Sequence, residues 1–350
     1  MKKSKQLNLT ADEIDEQETK AEKKPKRVKK WVLRSLSVFL LVLGTVIALF
    51  FGATTIICLG PSEAARDVFV TTVMETSAAK FLARMYFSEE KIDQIMMDNA
   101  IVDTGEVTDI SGSFTEPEKD VPKDQIDIVD VSGAIFKGKM MIVHDPSRLK
   151  VATIPQYGSD LRGMRVEDMV EKENAIAGVN GGGFEDINGV GKGGKPLGYI
   201  IKDGKLVFGS EQTSGCVVGF NNQNKLVVGN MTAKEALDKG VMEAVTFGPV
   251  LVVNGKPAEI SGTGGGLNPR TAIGQRADGA VLILVIDGRQ AHSIGANYKD
   301  LVDVMMEFGA INAANLDGGS SSLMVYKGEI ITTCASLYGS RTLPSAFIVK

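Results

Sequence analysis

From Ser35 to Ser62 the chain carries no charged residue, a run of 28 positions. Its centre reads LSVFLLVLGTVIALFFGATTIICL, longer than the ~20 residues an α-helix needs to cross the hydrocarbon of a bilayer. A buried helix in a soluble domain would normally show a polar face, and this one has none. A cleaved signal peptide would carry an apolar region of only about 7–15 residues. Lys and Arg crowd the side before the run (KKPKRVKKWVLR), Glu63 and Asp67 follow it, and Trp31 sits where an amphipathic ring favours the membrane interface. The pattern predicts an uncleaved, single-pass signal anchor over residues 31–60, held by membrane lipid. The N-terminus would be cytoplasmic and the C-terminal part extracellular.

The anchor also divides the charge. Residues 1–34 hold 11 Lys/Arg against 6 Asp/Glu, so a net charge of −4 for all 350 residues leaves the remainder acidic. An acidic folded portion is not organised around nucleic acid, and no such partner is expected. The two histidines, His144 and His292, and the absence of CxxC or zinc-finger spacing exclude a His- or Cys-rich metal site. Residues 1–30 are polar, lack an apolar period and predict a disordered cytoplasmic tail. Residues 61–125 predict juxtamembrane helices, with Val70, Val73, Met74, Phe81, Leu82 and Met85 as their apolar positions, and then a linker, DTGEVTDISGSFTEPEKDVPKD. Residues 126–350 are left as the globular domain. Cys58 lies in the anchor. Cys216 and Cys334 lie in the exported part and either pair or stay as buried thiols.

Within residues 126–350, β-rich runs alternate with glycine turns, and the steps KDGK and VNGK are hairpin signals. Helices are predicted near GMRVEDMVEKEN and over NYKDLVDVMMEFG, the second with Leu301, Met305 and Phe308 on one face and Gly309 as its C-cap. AVLILVIDGRQ is a continuous apolar run, the mark of a strand buried on both faces. Strand, helix and then the short strand INAANLDGG read as a βαβ crossover, which would make its two strands parallel neighbours. The expected fold is α+β: a mixed β-sheet domain with hairpins and one βαβ unit, preceded by a single transmembrane helix. Asp287 and Asp317 would close the two parallel strands at one sheet edge, where α/β sheets place ligands.

Five glycine-flanked polar clusters stand out: AGVNGGGFED, NPRTAIGQ, VIDGRQ, NLDGGSSSLM and LYGSRTLPSAF. Singly, each reads as a turn. Together they bring carboxylates, amides, hydroxyls and guanidinium groups to strand ends. Glycine admits a ligand to main-chain N–H groups, and Arg270 and Arg341 offer bidentate forks for phosphate. Ser320, Ser321 and Ser322 add hydroxyls but have no evident histidine, which disfavours a serine triad.

The series NGGGF, PLGYIIKDGKL, NPRTAIG, LILVIDGR, NLDGGSSSLMV and GSRTLPSAFIV resembles the phosphodiester glycosidase family. That family includes the uncovering enzyme of the mannose-6-phosphate marker and bacterial exopolysaccharide-associated relatives. The likeness spans about Ile126 to Lys350 and is most specific from Asn268 to Val325. It implies a glycoside hydrolase that cleaves a sugar-1-phosphodiester at the glycosidic bond, acting on cell-surface or exopolysaccharide glycans. It carries over Asn180, Arg270, Asp287, Asn315, Asp317, Gly318, Gly319 and Arg341 as site residues. Three positions depart from the family pattern. Gly183 replaces an aromatic, Ser320 replaces a third glycine, and Ser340 replaces the acid that often precedes the late arginine.

Such a bond expels a phosphate monoester, already a good leaving group, so donors for the phosphate and negative charge at an oxocarbenium-like centre matter more than a strong acid. Arg270, Arg341 and the loop with Gly318, Gly319, Ser320 and Ser321 would meet the first need. Asp287 and Asp317 would meet the second as the catalytic pair. No cofactor is required; the alternative use of Asp287, Asp317 and Asn315 is as oxygen ligands for Ca²⁺ or Mg²⁺. The non-enzymatic alternative is a glycan-phosphate-binding envelope protein, with other envelope proteins as partners.

Overall fold

The computed structural model describes residues 11–76, 78–115, 121–186, 190–336 and 338–350. The chain forms two units, Met1–Gly60 and Pro61–Lys350. The first is one helix, α1 (Ala11–Leu59). Its stretch Lys30–Leu59, 30 residues, is long and apolar enough to cross a membrane. Helix also covers residues 11–29, where the sequence suggested a disordered tail; Ala, Glu, Gln and Lys, which dominate there, are strong helix formers. The first ten residues of that tail lie outside the described ones.

The second unit begins with three short helices, α2 (Glu63–Met74), α3 (Lys80–Arg84) and α4 (Glu89–Asp98), that share a small core of Val70, Val73, Leu82, Ala83, Ile92 and Ile95. The segment after them, read as a linker, is tied down along its described length. Val102 N–H donates to the Glu259 carbonyl at 3.0 Å, Thr108 N–H to Val228 at 3.0 Å, and Thr115 N–H to Ala277 at 2.9 Å. Ile101 packs against the cluster under α7 (Tyr298–Glu307), and Val107 and Ile110 against the one under α6 (Ala233–Asp238), so hydrogen bonds and a few apolar anchors hold it together. Residues 116–120 of the expected linker lie outside the described ones.

Among the described residues, seventeen strands follow in three sheets. The first runs β1 (Ile126–Ser132), β2 (Lys137–Val143), β13 (Val281–Ile286), β12 (Arg270–Arg276), β14 (Ala310–Leu316), β10 (Val250–Val253), β11 (Lys256–Pro257). The second runs β16 (Glu329–Ile330), β15 (Met324–Tyr326), β4 (Ala177–Asn180), β17 (Ser345–Val349), β3 (Leu149–Thr153). The third runs β6 (Lys205–Phe208), β5 (Ile200–Lys202), β9 (Val241–Thr246), β7 (Ser214–Asn221), β8 (Leu226–Thr232). The KDGK and VNGK steps are hairpin turns with both central residues in the left-handed region: Asp203 (φ 51) with Gly204 (φ 70), and Asn254 (φ 52) with Gly255 (φ 76).

All three sheets turn one face to a shared core that includes Ile283, Val179 and Val218. Each covers its other face with one helix. These are α7 (Tyr298–Glu307) over the first sheet, α5 (Val166–Lys172) over the second and α6 (Ala233–Asp238) over the third. Strand β13 shows why its sequence is apolar throughout: Val281, Ile283 and Val285 enter the shared core, and Leu282, Leu284 and Ile286 face α7. The crossover through α7 makes β13 and β14 parallel, but they are not neighbours. Strand β12 lies between them, antiparallel to both.

Ile283 is fully buried in the shared core. Ile283→Ala should lower unfolding stability by about 2–5 kcal/mol, the cost of a cavity in a packed core. Denaturant titration followed by circular dichroism reads this directly, and a loss below ~1 kcal/mol would show the three sheets do not share that core.

Candidate active site

Three strands of the first sheet bring their polar ends to one edge. Arg270, at the start of β12, pairs in register with Ile286 at the end of β13, and Thr271 pairs with Leu316 at the end of β14. Arg270 therefore stands between the turns carrying Asp287 and Asp317. A cavity of about 390 Å³ opens at this edge, and Arg270, Arg289, Arg341, Glu75, Asp186 and Asp317 all line it.

The loop after β14 is set from behind. Asn180 is fully buried; its Nδ2 donates to the Asp317 carbonyl oxygen, and its Oδ1 accepts from Thr271 Oγ1 at 2.8 Å and Leu323 N–H at 3.2 Å. It shapes the loop without lining the cavity. Gly319 has φ +61, and a Cβ there would lie 3.3 Å from Arg289 Nη2. Glycine thus supplies both the left-handed turn and room for the guanidinium. Gly318, Gly319, Ser320, Ser321 and Asn315 line the cavity.

The charges do not balance pairwise. Arg270 is 4% exposed, and its Nη2 meets Glu75 Oε2 at 2.7 Å and the Gly266 carbonyl at 2.7 Å. Its Nε donates to the Ala296 carbonyl at 3.1 Å, and the guanidinium lies 4.1 Å from the Tyr298 ring centre. Arg341 forms a two-pronged pair with Asp186 at 2.8 and 3.0 Å, and its Nη1 donates to Ser320 Oγ at 3.3 Å. Two arginines and two acids are thereby matched, leaving Arg289 and Asp317.

Arg289 Nη2 donates to two neutral oxygens, Asn268 Oδ1 at 3.0 Å and Thr76 Oγ1 at 3.2 Å. Burial and the nearby Arg270 charge pull its pKa below the usual range. Its backbone sits at φ 58, a strained region for a non-glycine residue. Asp317 Oδ1 accepts from Gly318 N–H at 3.0 Å, while Oδ2 is buried with no hydrogen-bond partner. Burial pushes this carboxyl up to about 6, against weaker opposing effects of Ser321 and Arg341. Asn315 donates from Nδ2 to the Gly248 carbonyl at 2.9 Å, but its Oδ1 is also buried without a partner. These two oxygens keep unused acceptor capacity in residues that line the cavity.

Several expectations need correcting. Asp287 does not line the cavity. Its Oδ1 accepts from Thr333 N–H at 2.8 Å and its Oδ2 lies 3.4 Å from His292 Nε2, so it fastens the loop after β16. With β12 intervening, β13 and β14 are two strand spacings apart, about 10 Å. Of the expected pair, Asp317 alone lines the cavity, while Asp287 is engaged by Thr333 and His292. Among the described residues no group of three or more His, Cys, Asp or Glu side chains gathers to hold a metal. Arg270 and Arg341, expected as phosphate forks, already hold carboxylates. Cys216 and Cys334 are both free thiols.

The residues missed are Glu75, Asp186 and Arg289. Asp186 and Arg289 lay inside the clusters NGGGFED and VIDGRQ, whose chemistry was assigned to neighbours; nothing local marks Glu75. The departures also find an account. A side chain on Gly183 would meet the Phe247 ring at 2.9 Å, and Phe247 with Phe184 forms the aromatic wall. The Ser340 hydroxyl bonds Glu167, and the acid serving Arg341 is Asp186.

A family model for phosphodiester glycosidases matches residues 173–350. The SPbeta prophage-derived protein YomE of Bacillus subtilis is 33% identical over 178 residues, 47% of this chain and 26% of that protein. The N-acetylglucosamine-1-phosphodiester alpha-N-acetylglucosaminidase of Mus musculus is 25% identical over 219 residues, 57% of this chain and 41% of that enzyme. The chain thus spans well under half the length of either relative. The solved catalytic domain of the zebrafish enzyme, auto-inhibited by its pro-peptide, shares the fold with a TM-score of 0.53 at 21% identity, over 70% of this chain and 87% of that one.

The raised Asp317 pKa fixes a sign. Below about pH 4 folded and unfolded chains both bind the proton, and the carboxyl imposes no penalty. As pH rises through about 6 the folded state must hold a desolvated charge and loses stability. Asp317→Asn should therefore match the parent's melting temperature near pH 4 and melt higher near pH 8, where its gain in unfolding free energy is up to roughly 2–3 kcal/mol. A melting-temperature difference that stays constant across that range would refute the assigned burial.

Proposed function

The chain belongs to the phosphodiester glycosidase family, and from that premise we propose that it hydrolyses a sugar-1-phosphodiester at the anomeric carbon on the outer face of a membrane. One observation carries the reading: among the described residues lining the cavity, the arginines and acids are held in ion pairs except for Arg289 and Asp317. A phosphodiester glycoside needs those two charges at its two ends. Arg289 takes the phosphate and neutralises the charge that develops as the monoester departs. Asp317 faces the anomeric carbon.

The bond between the anomeric carbon and the bridging oxygen breaks, and its electron pair leaves with the phosphate monoester. Water supplies the new oxygen on carbon, and its proton passes through Asp317 to solvent or to the departed monoester. A carboxyl near pH 6 is largely ionised at neutral pH, as a base or nucleophile requires. Phe184 and Phe247 offer a sugar an apolar wall. Asp186 holds Arg341 against Ser320 and so fixes the loop that carries Asp317.

The basic run in α1 that leads into its apolar stretch supports a cytoplasmic N-terminus and an exported catalytic unit. An anchored exported unit meets glycans of the cell surface, including phosphodiester-linked exopolysaccharide.

The full chain in detergent, incubated with a panel of sugar-1-phosphodiesters, should release reducing sugar. Asp317→Asn and Arg289→Ala should each cut the rate by about 10²-fold or more. A chelator should leave the rate unchanged. Retention in the first anomer released, seen by NMR, makes Asp317 the nucleophile, and inversion makes it the base. Tight binding of the same compounds without release of sugar would replace this reading with the glycan-phosphate-binding one.

A further inference from the structure

Helices α2–α4 look like a spacer in sequence, yet the domain is shaped around them. A Cβ on Gly266 would come within 2.4 Å of the Thr72 backbone, and one on Gly262 within 2.6 Å of the Asp98 carbonyl oxygen. Leu267 N–H donates to Thr72 Oγ1 at 2.9 Å, and Thr263 N–H to Asn99 Oδ1 at 2.7 Å. A loop that must lack side chains to admit a neighbour's backbone is built for a resident element.

At the end of α2, Glu75 ties the segment to the site. Its Oε1 accepts from Gly266 N–H at 3.1 Å, and its Oε2 accepts from Asn268 Nδ2 at 2.9 Å as well as from Arg270. A carboxylate only accepts, so it fixes the nitrogen side of the Asn268 carboxamide toward itself. The oxygen side then faces Arg289 Nη2 at 3.0 Å, beside Thr76 Oγ1 at 3.2 Å. A glutamine at position 75 could accept or donate, and the Asn268 amide would be free to turn its NH₂ toward the guanidinium.

We propose that α2–α4 are a permanent wall of the reaction site. Glu75 is a positioning residue that acts through the Asn268 carboxamide to aim Arg289 at the substrate's phosphate. The proposal rests on Arg289 as the phosphate ligand. It sets the segment apart from a displaceable plug, whose loosening would raise activity.

The test uses the full chain with Glu75→Gln and Thr76→Val, measuring the kinetics of sugar release and, by calorimetry, affinity for inorganic phosphate. Thr76→Val alters the same guanidinium's surroundings without touching the Arg270 pair, so it decides the matter even if Glu75→Gln fails to fold. Both variants should raise KM and weaken phosphate binding about tenfold, with kcat changed less and the melting temperature of Thr76→Val unaltered. A rise in kcat/KM in either variant, or phosphate affinity kept in both while Arg289→Ala abolishes it, overturns the proposal alone. Phosphate affinity indifferent to Arg289→Ala removes the underlying reading of the site, and this proposal with it.

Discussion

A guanidinium cut off from water must find all its partners inside the protein. Arg270 does so with groups gathered from distant parts of the chain: the Glu75 carboxylate, the Gly266 and Ala296 carbonyls, and the face of Tyr298. The remaining arrangement follows from that requirement. Satisfying Arg270 fixes the start of β12 between the β13 and β14 turns, brings the end of α2 against the glycine loop before β12, and takes Arg270 itself out of ligand binding. A second pair, Arg341 with Asp186, holds another arginine of the same cavity. What the cavity has left to offer a ligand is defined by subtraction.

Legibility in the sequence tracks the range of the physical cause. The KDGK and VNGK turns were readable because two adjacent residues must enter the left-handed region, a demand met locally by Asp-Gly and Asn-Gly. Burial of β13 on both faces was readable because every residue from Val281 to Ile286 is apolar. The partner of a strand is not written in its own residues. The insertion of β12 between β13 and β14 therefore escaped pattern reading, and with it the true place of Asp287. Glu75 lies 195 positions before the arginine it serves, on a short helix whose apolar stripe speaks only for its own small core. The segment 101–115 read as linker because its apolar anchors, Ile101, Val107 and Ile110, follow no regular period and much of its cohesion comes from hydrogen bonds, such as Thr108 Oγ1 with Asn312 Oδ1 at 3.3 Å.

The unmatched groups also constrain the ligand. Arg289 holds a strained backbone and an uncompensated charge; Asp317 Oδ2 and Asn315 Oδ1 are buried acceptors without donors. Each raises the free energy of the empty site, by about 1–3 kcal/mol for an unsatisfied buried polar group. A neutral glycoside would supply hydroxyls to the two oxygens and leave Arg289 unmet. Inorganic phosphate would do the reverse. On the proposed reading, a molecule joining sugar hydroxyls to a phosphodiester relieves both ends at once, and the gain at one end is available to strain the bond at the other. The Asp317 carboxyl feels the Arg341 charge only as a weaker opposing effect, because Asp186 holds that arginine in a two-pronged pair; a direct Arg341–Asp317 pair would lower the pKa further.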